Sequence, residues 1–157
     1  MNPEKIMFDE GRRNALDLAS RAKNMDGTEI IAEEDRIPAW SEKAVYTTDH
    51  VGFPVQDLGQ VYTILMPHTP AHNPGSRPEN LRAIYYLLHT KDPAKAKPWM
   101  PSYGTSGLYK IDECCTYPDY DGIDHVWRNK HDNNEYPPLT LNVEDRWDDL
   151  GEVSLWQ

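Results

Sequence analysis

The fold is most clearly indicated by residues 109–127, YKIDECCTYPDYDGIDHVW, in which an aromatic residue, a turn and the pair Val126-Trp127 follow one another. The earlier stretch 46–62 has the same order at nearly the same spacing. The two stretches belong to longer repeats that share a set of aromatic and turn landmarks. These are Trp40, Tyr46, Asp57-Leu58-Gly59, Val61-Tyr62, Asn73-Pro74 and Ile84-Tyr85-Tyr86 in the first, and Trp99, Tyr109, Asp119 to Asp124, Val126-Trp127, Tyr136-Pro137-Pro138 and Trp147 in the second. A repeated spacing of this kind predicts a repeated structural unit.

The composition favours small β-rich units. The chain has 157 residues with 13 Pro and 9 Gly, and its aromatics are 5 Trp and 9 Tyr against only 2 Phe. Many prolines and short apolar runs argue against a large helical bundle and for short strands joined by long turns. Trp and Tyr combine a large apolar face with a polar edge, so they suit half-exposed surfaces. Units of about 50 residues bury little core, so we expect the repeats to support each other or to assemble as an oligomer.

Charge and cysteine content exclude several classes of function. The formal net charge of −10 disfavours nucleic acid and anionic membranes as partners, because both require a basic surface. The two cysteines are adjacent, at Cys114-Cys115, where a disulfide would be strained, so we expect synthesis in a reducing compartment. The sequence has no run of transmembrane length, and its first residues lack the apolar core of a signal peptide.

The chain is expected to be mainly β, with an N-terminal helix followed by two small antiparallel modules. Apolar residues at helical spacing predict a helix over 9–25, and Gly27 is a plausible stop. The Ala-rich stripe of this helix could pack on the body of the protein or against a neighbouring copy. The predicted divisions are 1–37 for the helix and linker, 38–88 for the first module, 89–98 for a solvated connector and 99–157 for the second module.

Nothing in the sequence indicates catalysis or a cofactor. Acidic pairs such as Glu144-Asp145 are numerous, but a glycosidase needs two carboxylates that face each other across a cleft. His68 and His72 are four residues apart, yet Pro70 between them breaks the helix that would align them as metal ligands. Phosphate-binding and nucleophile motifs are absent from the sequence. We therefore expect a protein that is not an enzyme and has no metal.

The aromatic residues are the remaining candidates for function. Sugar rings present apolar C–H faces that stack on Trp and Tyr, while Asn and Asp bond the hydroxyls. We expect Trp127 and Trp147 to be mainly core. The predicted ligand-binding residues are Trp99, Tyr103 and Tyr136 for stacking, and Asp132, Asn133 and Asn134 for orienting the sugar.

Each repeat resembles the small carbohydrate-binding modules of families 5 and 12, the type-3 chitin-binding group. The motifs that carry this likeness in the second repeat are Trp99, Tyr109-Lys-Ile-Asp112, Asp121-Gly122, Val126-Trp127-Arg128, Asn133-Asn134-Glu-Tyr-Pro137 and Trp147. The first repeat departs from the pattern, because Ile84-Tyr85 replaces the closing Trp and its Pro-rich loop is longer. In the second, Ile111 stands where the family has Gly, and the turn is expanded. The resemblance therefore implies sugar binding without implying chitin.

The whole chain also resembles a group of small proteins from the tail-gene regions of phages and prophages of Gram-positive gut bacteria. The segments that carry this likeness are 22–31, 59–62, Pro67-His68, 89–98, 103–107 and Cys114-Cys115. The resemblance implies a virion protein made in the host cytoplasm without a signal peptide.

These expectations combine into one functional hypothesis and one alternative. The hypothesis is a non-catalytic protein of the phage tail or fibre that binds a cell-surface polysaccharide or peptidoglycan-associated glycan. Its other partners would be phage structural proteins and further copies of itself, with no nucleic acid and no membrane. The alternative is a structural tail, fibre or capsid decoration protein whose modules serve only protein–protein assembly.

Overall fold

The computed structural model describes residues 3–70 and 74–157, and it divides the chain into two compact units, 1–86 and 87–157. An N-terminal helix is followed by two sheets, as the sequence predicts. The first sheet has three strands and the second has four. Helical and strand residues occur in roughly equal numbers. Strand therefore does not dominate the chain, although we expected a mainly β protein. His72 and Asn73 lie outside the described residues.

The first unit begins with two helices. Helix α1 spans Pro3–Ala22 and buries Leu18, Ala19 and Ala22, so the predicted stripe packs within the chain. Helix α2 spans Gly27–Ala32, where a linker was expected. Its start is fixed by Asp26, whose side chain accepts a hydrogen bond from the Glu29 amide in a capping box. Gly27 therefore starts a helix instead of ending one.

The first sheet contains strands β1 (Pro54–Asp57), β2 (Gln60–Ile64) and β3 (Tyr85–Leu87) in that order, and the division between the units falls within β3, after Tyr86. Strands β1 and β2 pair antiparallel through a two-residue turn at Leu58-Gly59, where both residues have positive φ. That conformation matches the natural twist of a hairpin and is the one Gly adopts at least cost.

The second unit contains strands β4 (Lys97–Pro98), β5 (Cys114–Pro118), β6 (Asp124–Asn129) and β7 (Trp147–Glu152), in that order across the sheet. β4 runs parallel to β5, and the remaining pairs are antiparallel. The segment 89–98, suggested by the sequence as a solvated connector, lies in this unit: His89 and Thr90 are buried and Lys97–Pro98 forms β4.

The repeat predicted from the aromatic spacing is present in the backbone hydrogen bonds of the two units. A group of these bonds recurs between equivalent positions. The bond from Trp40 N to Gln56 O corresponds to that from Trp99 N to Thr116 O, and Gly52 N to Ile64 O corresponds to Asp112 N to Asn129 O. Likewise, Ile64 N to Phe53 O corresponds to Asn129 N to Glu113 O, and Leu65 N to Ile84 O corresponds to Lys130 N to Arg146 O. The strand register makes Tyr62 the counterpart of Trp127, and the last pair of bonds makes Tyr85 the counterpart of Trp147.

The core of the second unit is built from aromatic rings, as the sequence predicts. Tyr109, Cys115, Trp127 and Trp147 form one buried cluster. The rings of Tyr109 and Trp147 meet edge to face with centroids 5.1 Å apart, a geometry favoured by the aromatic quadrupole. The equivalent rings of the first unit, Tyr46 and Tyr85, meet at 89° and 6.5 Å.

A buried side-chain amide joins the segments around this core. Asn129, at the end of β6, is fully buried, and its Nδ2 lies within hydrogen-bond distance of the carbonyls of Tyr109, Lys110 and His131. Its Oδ1 accepts from the His131 amide and from the side chain of Asn134. The first unit has apolar Ile64 at this position, so it has no side-chain amide there.

Replacing Asn129 with Leu, of similar volume, is expected to destabilise the protein by about 3 kcal/mol or more, because several buried groups lose their partners at about 1–3 kcal/mol each. Urea unfolding followed by tryptophan fluorescence measures the change. The matched control is Asp132→Ala, an exposed change in the same loop, which should stay within about 0.5 kcal/mol of the wild type. Equal stabilities for N129L and D132A would contradict this role for Asn129.

Candidate functional site

The second unit contains a cleft of about 200 Å³. It combines aromatic side chains with a polar margin. The lining residues are Tyr120, Trp127, Tyr136, Pro137, Leu139, Thr140, Val143, Glu144, Asp145, Arg146 and Trp147. Tyr120 is 80% exposed, whereas Trp127 and Trp147 are buried, so the cleft extends from the surface down to the aromatic core.

The two tryptophans are fixed by their indole N–H groups. Trp127 Nε1 donates to the carbonyl of Tyr117 at 3.0 Å, and Trp147 Nε1 donates to the carbonyl of Tyr136 at 2.9 Å. Each ring is thus oriented by a hydrogen bond as well as by packing. The second bond also ties the backbone of the Tyr136 segment to strand β7.

Tyr120 is presented by the five-residue turn 119–123 between β5 and β6. Asp119 organises this turn, because its Oδ1 accepts from the amides of Asp121 and Ile123 at 2.8 and 2.9 Å. These bonds hold the pKa of the Asp119 carboxyl below its ordinary value, with the Ile123 amide as the main cause. The first unit has only the two-residue turn at Leu58-Gly59 here, so it has no counterpart of Tyr120.

Tyr136 and Arg146 form a second contact in the cleft. The guanidinium of Arg146 lies 5.0 Å from the centre of the Tyr136 ring, within cation–π range. Its Nη2 is 3.7 Å from a carboxylate oxygen of Glu144, and its buried Nε has no hydrogen-bond partner among the described residues. The counterpart of Arg146 in the first unit is Ile84, which lacks this charge.

The predicted ligand-binding residues fall in different places, and only Tyr136 lines the cleft. Tyr103 is 60% exposed at one end of a tight turn, where its backbone exchanges two hydrogen bonds with Ser106. Trp99 is partly buried and packs on the aromatic core, edge to face with Tyr117. Its indole Nε1 is buried and has no partner within the ranges that the structure describes.

The predicted polar ligand-binding residues also lie in different environments. Asp132 and Asn133 are exposed, and Asn133 accepts a hydrogen bond from Lys110 Nζ at 3.2 Å. Asn134 is 0% exposed: its Nδ2 donates to Asn129 and its Oδ1 accepts from the Tyr136 amide. Asn134 therefore holds the loop, and its burial leaves no surface on which to orient a sugar.

Tyr120 and Arg146 are among the cleft residues that were not predicted to bind a ligand. A signal for Tyr120 existed, since it is the central aromatic of the expanded turn Asp119 to Asp124. Arg146 gave no comparable signal, because an isolated Arg before a tryptophan has no motif. Its position over Tyr136 depends on the loop that brings residues 136 and 146 together.

His68 and His89 have structural partners in the units where they lie. His89 stacks on Tyr109 with ring centres 3.7 Å apart and bonds the Gly107 carbonyl, and His68 contacts the Tyr85 hydroxyl. Within residues 3–70 and 74–157, no three His, Cys, Asp or Glu side chains are grouped so as to hold a metal ion. No helix in those same ranges has the length and apolar character needed to cross a membrane.

Comparison with known proteins identifies no relative: the chain matches no protein-family model, no curated protein and no solved structure.

Both cysteines are predicted to be unreactive in the folded protein. They are buried as free thiols in β5, and burial raises the pKa of Cys114 to about 11 and that of Cys115 further. Since the thiolate is the reactive form, labelling by iodoacetamide at pH 8 should be at least tenfold slower in native buffer than in 6 M guanidinium. Mass spectrometry measures the labelled fraction. Rapid labelling of the native protein would contradict the burial of β5.

Proposed function

We propose that this chain is a non-catalytic glycan-binding protein and that its binding site is the cleft of the second unit. The observation that carries the proposal is Tyr120, a large aromatic side chain that is 80% exposed at the margin of a cleft containing Tyr136. A tyrosine so exposed contributes little to the core. Stacking against the apolar face of a sugar ring would give it a role.

The remaining lining residues suit a polar ligand. Thr140, Glu144, Asp145 and Arg146 supply both donors and acceptors beside the aromatic rings. A few placed polar groups on an otherwise apolar surface are typical of sites that fix a ligand's orientation. The net charge of −10 favours a neutral or cationic glycan over a strongly anionic one.

The size of the cleft indicates weak binding at each site. Pockets that enclose a drug-sized ligand measure about 300–1,000 Å³, so a cleft of about 200 Å³ covers only part of a polysaccharide. Many copies in one particle would compensate through avidity. Multiple copies per particle agree with the resemblance to phage tail-region proteins. On the same resemblance we base the proposed virion location, self-association and partnership with other phage structural proteins.

The likeness to type-3 chitin-binding modules supports the same proposal from the sequence side. Its motifs include Trp127 and Trp147, which lie at the inner side of the cleft, and Tyr136. The expanded turn that departs from that pattern carries Tyr120. We therefore propose that the turn sets the choice of glycan.

The alternative is a purely structural role in a tail, fibre or capsid. One observation favours it: Leu141 and Leu155 are 76% and 74% exposed in the same unit as the cleft. Exposed apolar side chains of this size would be covered if the unit packed against a neighbouring protein.

Retention on purified Gram-positive cell wall tests the proposal. We expect Tyr120→Ala and Tyr136→Ala each to weaken binding by about tenfold, the effect of losing roughly 1.4 kcal/mol of stacking energy. Tyr103→Ala is the matched control, because Tyr103 is exposed but does not line the cleft. Circular dichroism confirms that each variant is folded.

Two results would contradict the proposal. Loss of binding in Tyr103→Ala with full binding in the two cleft variants would move the site to the turn at residues 103–106. Absence of binding by the oligomeric wild type, on cell wall and on a glycan array alike, would favour the assembly role.

A further inference from the structure

His125 lies between two carboxylates from different segments. Its Nε2 is 3.0 Å from Asp119 Oδ2 in the turn 119–123, and its Nδ1 is 2.8 Å from Asp149 Oδ1 on strand β7. The imidazole is mostly shielded, with 15% of its side chain exposed, and it stacks on Trp127 at a ring distance of 6.0 Å. One side chain thus connects the turn, strand β6 and strand β7.

Two carboxylates at this distance favour the protonated form of the ring. Nδ1 hydrogen-bonds Asp149, and Nε2 forms an ion pair with Asp119 that requires the positive charge of the imidazolium form. A neutral ring would direct one lone pair at a carboxylate about 3 Å away. The charged groups that face the ring are Asp119 from the turn, and Asp149 and the cross-strand neighbour Glu152 from β7.

Asp119 transmits this contact to the cleft. One of its oxygens faces His125, while the other accepts from the amides of Asp121 and Ile123, which follow Tyr120 in the same turn. Asp149 is similarly anchored, because its Oδ1 also accepts from the Gly151 amide. Movement of Asp119 away from His125 would therefore move the backbone that presents Tyr120.

We propose that protonated His125 is a positioning residue that fixes the Tyr120 turn against the cleft, and that its deprotonation releases the turn. The release of the turn stands on the contacts of His125 alone. Its consequence for ligand binding rests on the function proposed above.

The direction of the pH dependence follows from the partners. The hydrogen bond to Asp149 is the main cause that raises the pKa of His125, with further contributions from the charges of Asp149, Asp119 and Glu152 and an opposing one from burial. A group whose pKa is raised on folding stabilises the fold fully below its unfolded pKa, about 6.5. That stabilisation is lost as the pH rises through the pKa of the folded state. The turn should therefore be ordered at acidic pH and released at alkaline pH.

Asp119→Asn offers a variant with the opposite pH response. The Asn oxygen still accepts from the amides of Asp121 and Ile123, while its NH₂ group faces His125 Nε2. That NH₂ donates to the lone pair of a neutral ring, and His125 still donates from Nδ1 to Asp149. The D119N turn should therefore be ordered at pH 9, where the wild-type turn is released.

Nuclear magnetic resonance on the full-length chain tests the proposal without a ligand. Ring ¹⁵N shifts report the protonation of His125, and backbone order parameters of residues 119–123 report the turn at about pH 5.5 and 9. We expect the order parameters of the wild-type turn to fall as the pH rises through the pKa of His125. In D119N we expect the His125 midpoint to fall by about one pH unit or more and the order to be higher at pH 9 than in the wild type.

Asp148→Asn is the matched control, since Asp148 neighbours Asp149 on β7 but pairs with Lys130. In D148N, the titration midpoint of His125 and the order parameters of residues 119–123 should equal those of the wild type. Equal order of the wild-type turn at both pH values, or a D119N variant that responds like the wild type, would overturn the proposal.

A binding arm separates the failure of this inference from that of the proposed function. Retention on Gram-positive cell wall should fall several-fold from pH 5.5 to 9 for the wild type but not for D119N. A pH-dependent turn in a protein that binds no cell wall or arrayed glycan would support the role of His125 and contradict glycan binding. Binding of equal strength at both pH values with an unchanged turn would support glycan binding and overturn the role of His125.

Discussion

The second unit depends on one buried amide, that of Asn129. A unit of this size has few apolar side chains to bury, and its core consists of a small group of rings around Cys115. Hydrogen bonds of buried polar groups therefore complete the core. Through such bonds, Asn129 joins strand β6 to the Tyr109 segment and to the loop after His131. Because that loop leads to Tyr136, the same amide positions one of the cleft aromatics.

The two units show how one backbone pattern accommodates different roles. Their hydrogen bonds match, yet the first unit has Ile64 and Ile84 where the second has Asn129 and Arg146. The hairpin of the first unit also turns in two residues instead of five. The exposed tyrosine and the cationic side chain of the cleft arise from these changes, so we propose that recognition belongs to the second unit. The first retains the frame with a tyrosine, Tyr85, at the closing position.

Much of the frame could be predicted from the sequence, because aromatic residues at repeated spacing occupy equivalent positions in repeated hairpins. The aromatic landmarks, the core roles of Trp127 and Trp147, and the turn at Gly59 follow from such local patterns. The start of helix α2 was misjudged although its signal was present. Gly27 suggests a stop by itself, whereas Asp26 and Glu29 together form the capping box.

The composition of the site was less predictable, because it depends on contacts between distant residues. Asn134 has the character of a surface residue, yet it is buried with Asn129 and the Tyr136 amide as the partners of its side chain. Tyr103 and Tyr120 are both exposed, and only the pairing of β5 with β6 places Tyr120 beside the cleft. Burial and neighbourhood are tertiary properties that a local pattern does not specify.

The most direct test of glycan recognition by the cleft is a chemical-shift map of the ¹⁵N-labelled chain titrated with soluble fragments of Gram-positive cell wall. We expect the largest changes on the indole N–H signals of Trp127 and Trp147 and on the amides of Tyr120 and Tyr136. Changes confined to residues 103–106 or to the first unit would contradict it, as would a spectrum that saturating fragments leave unchanged.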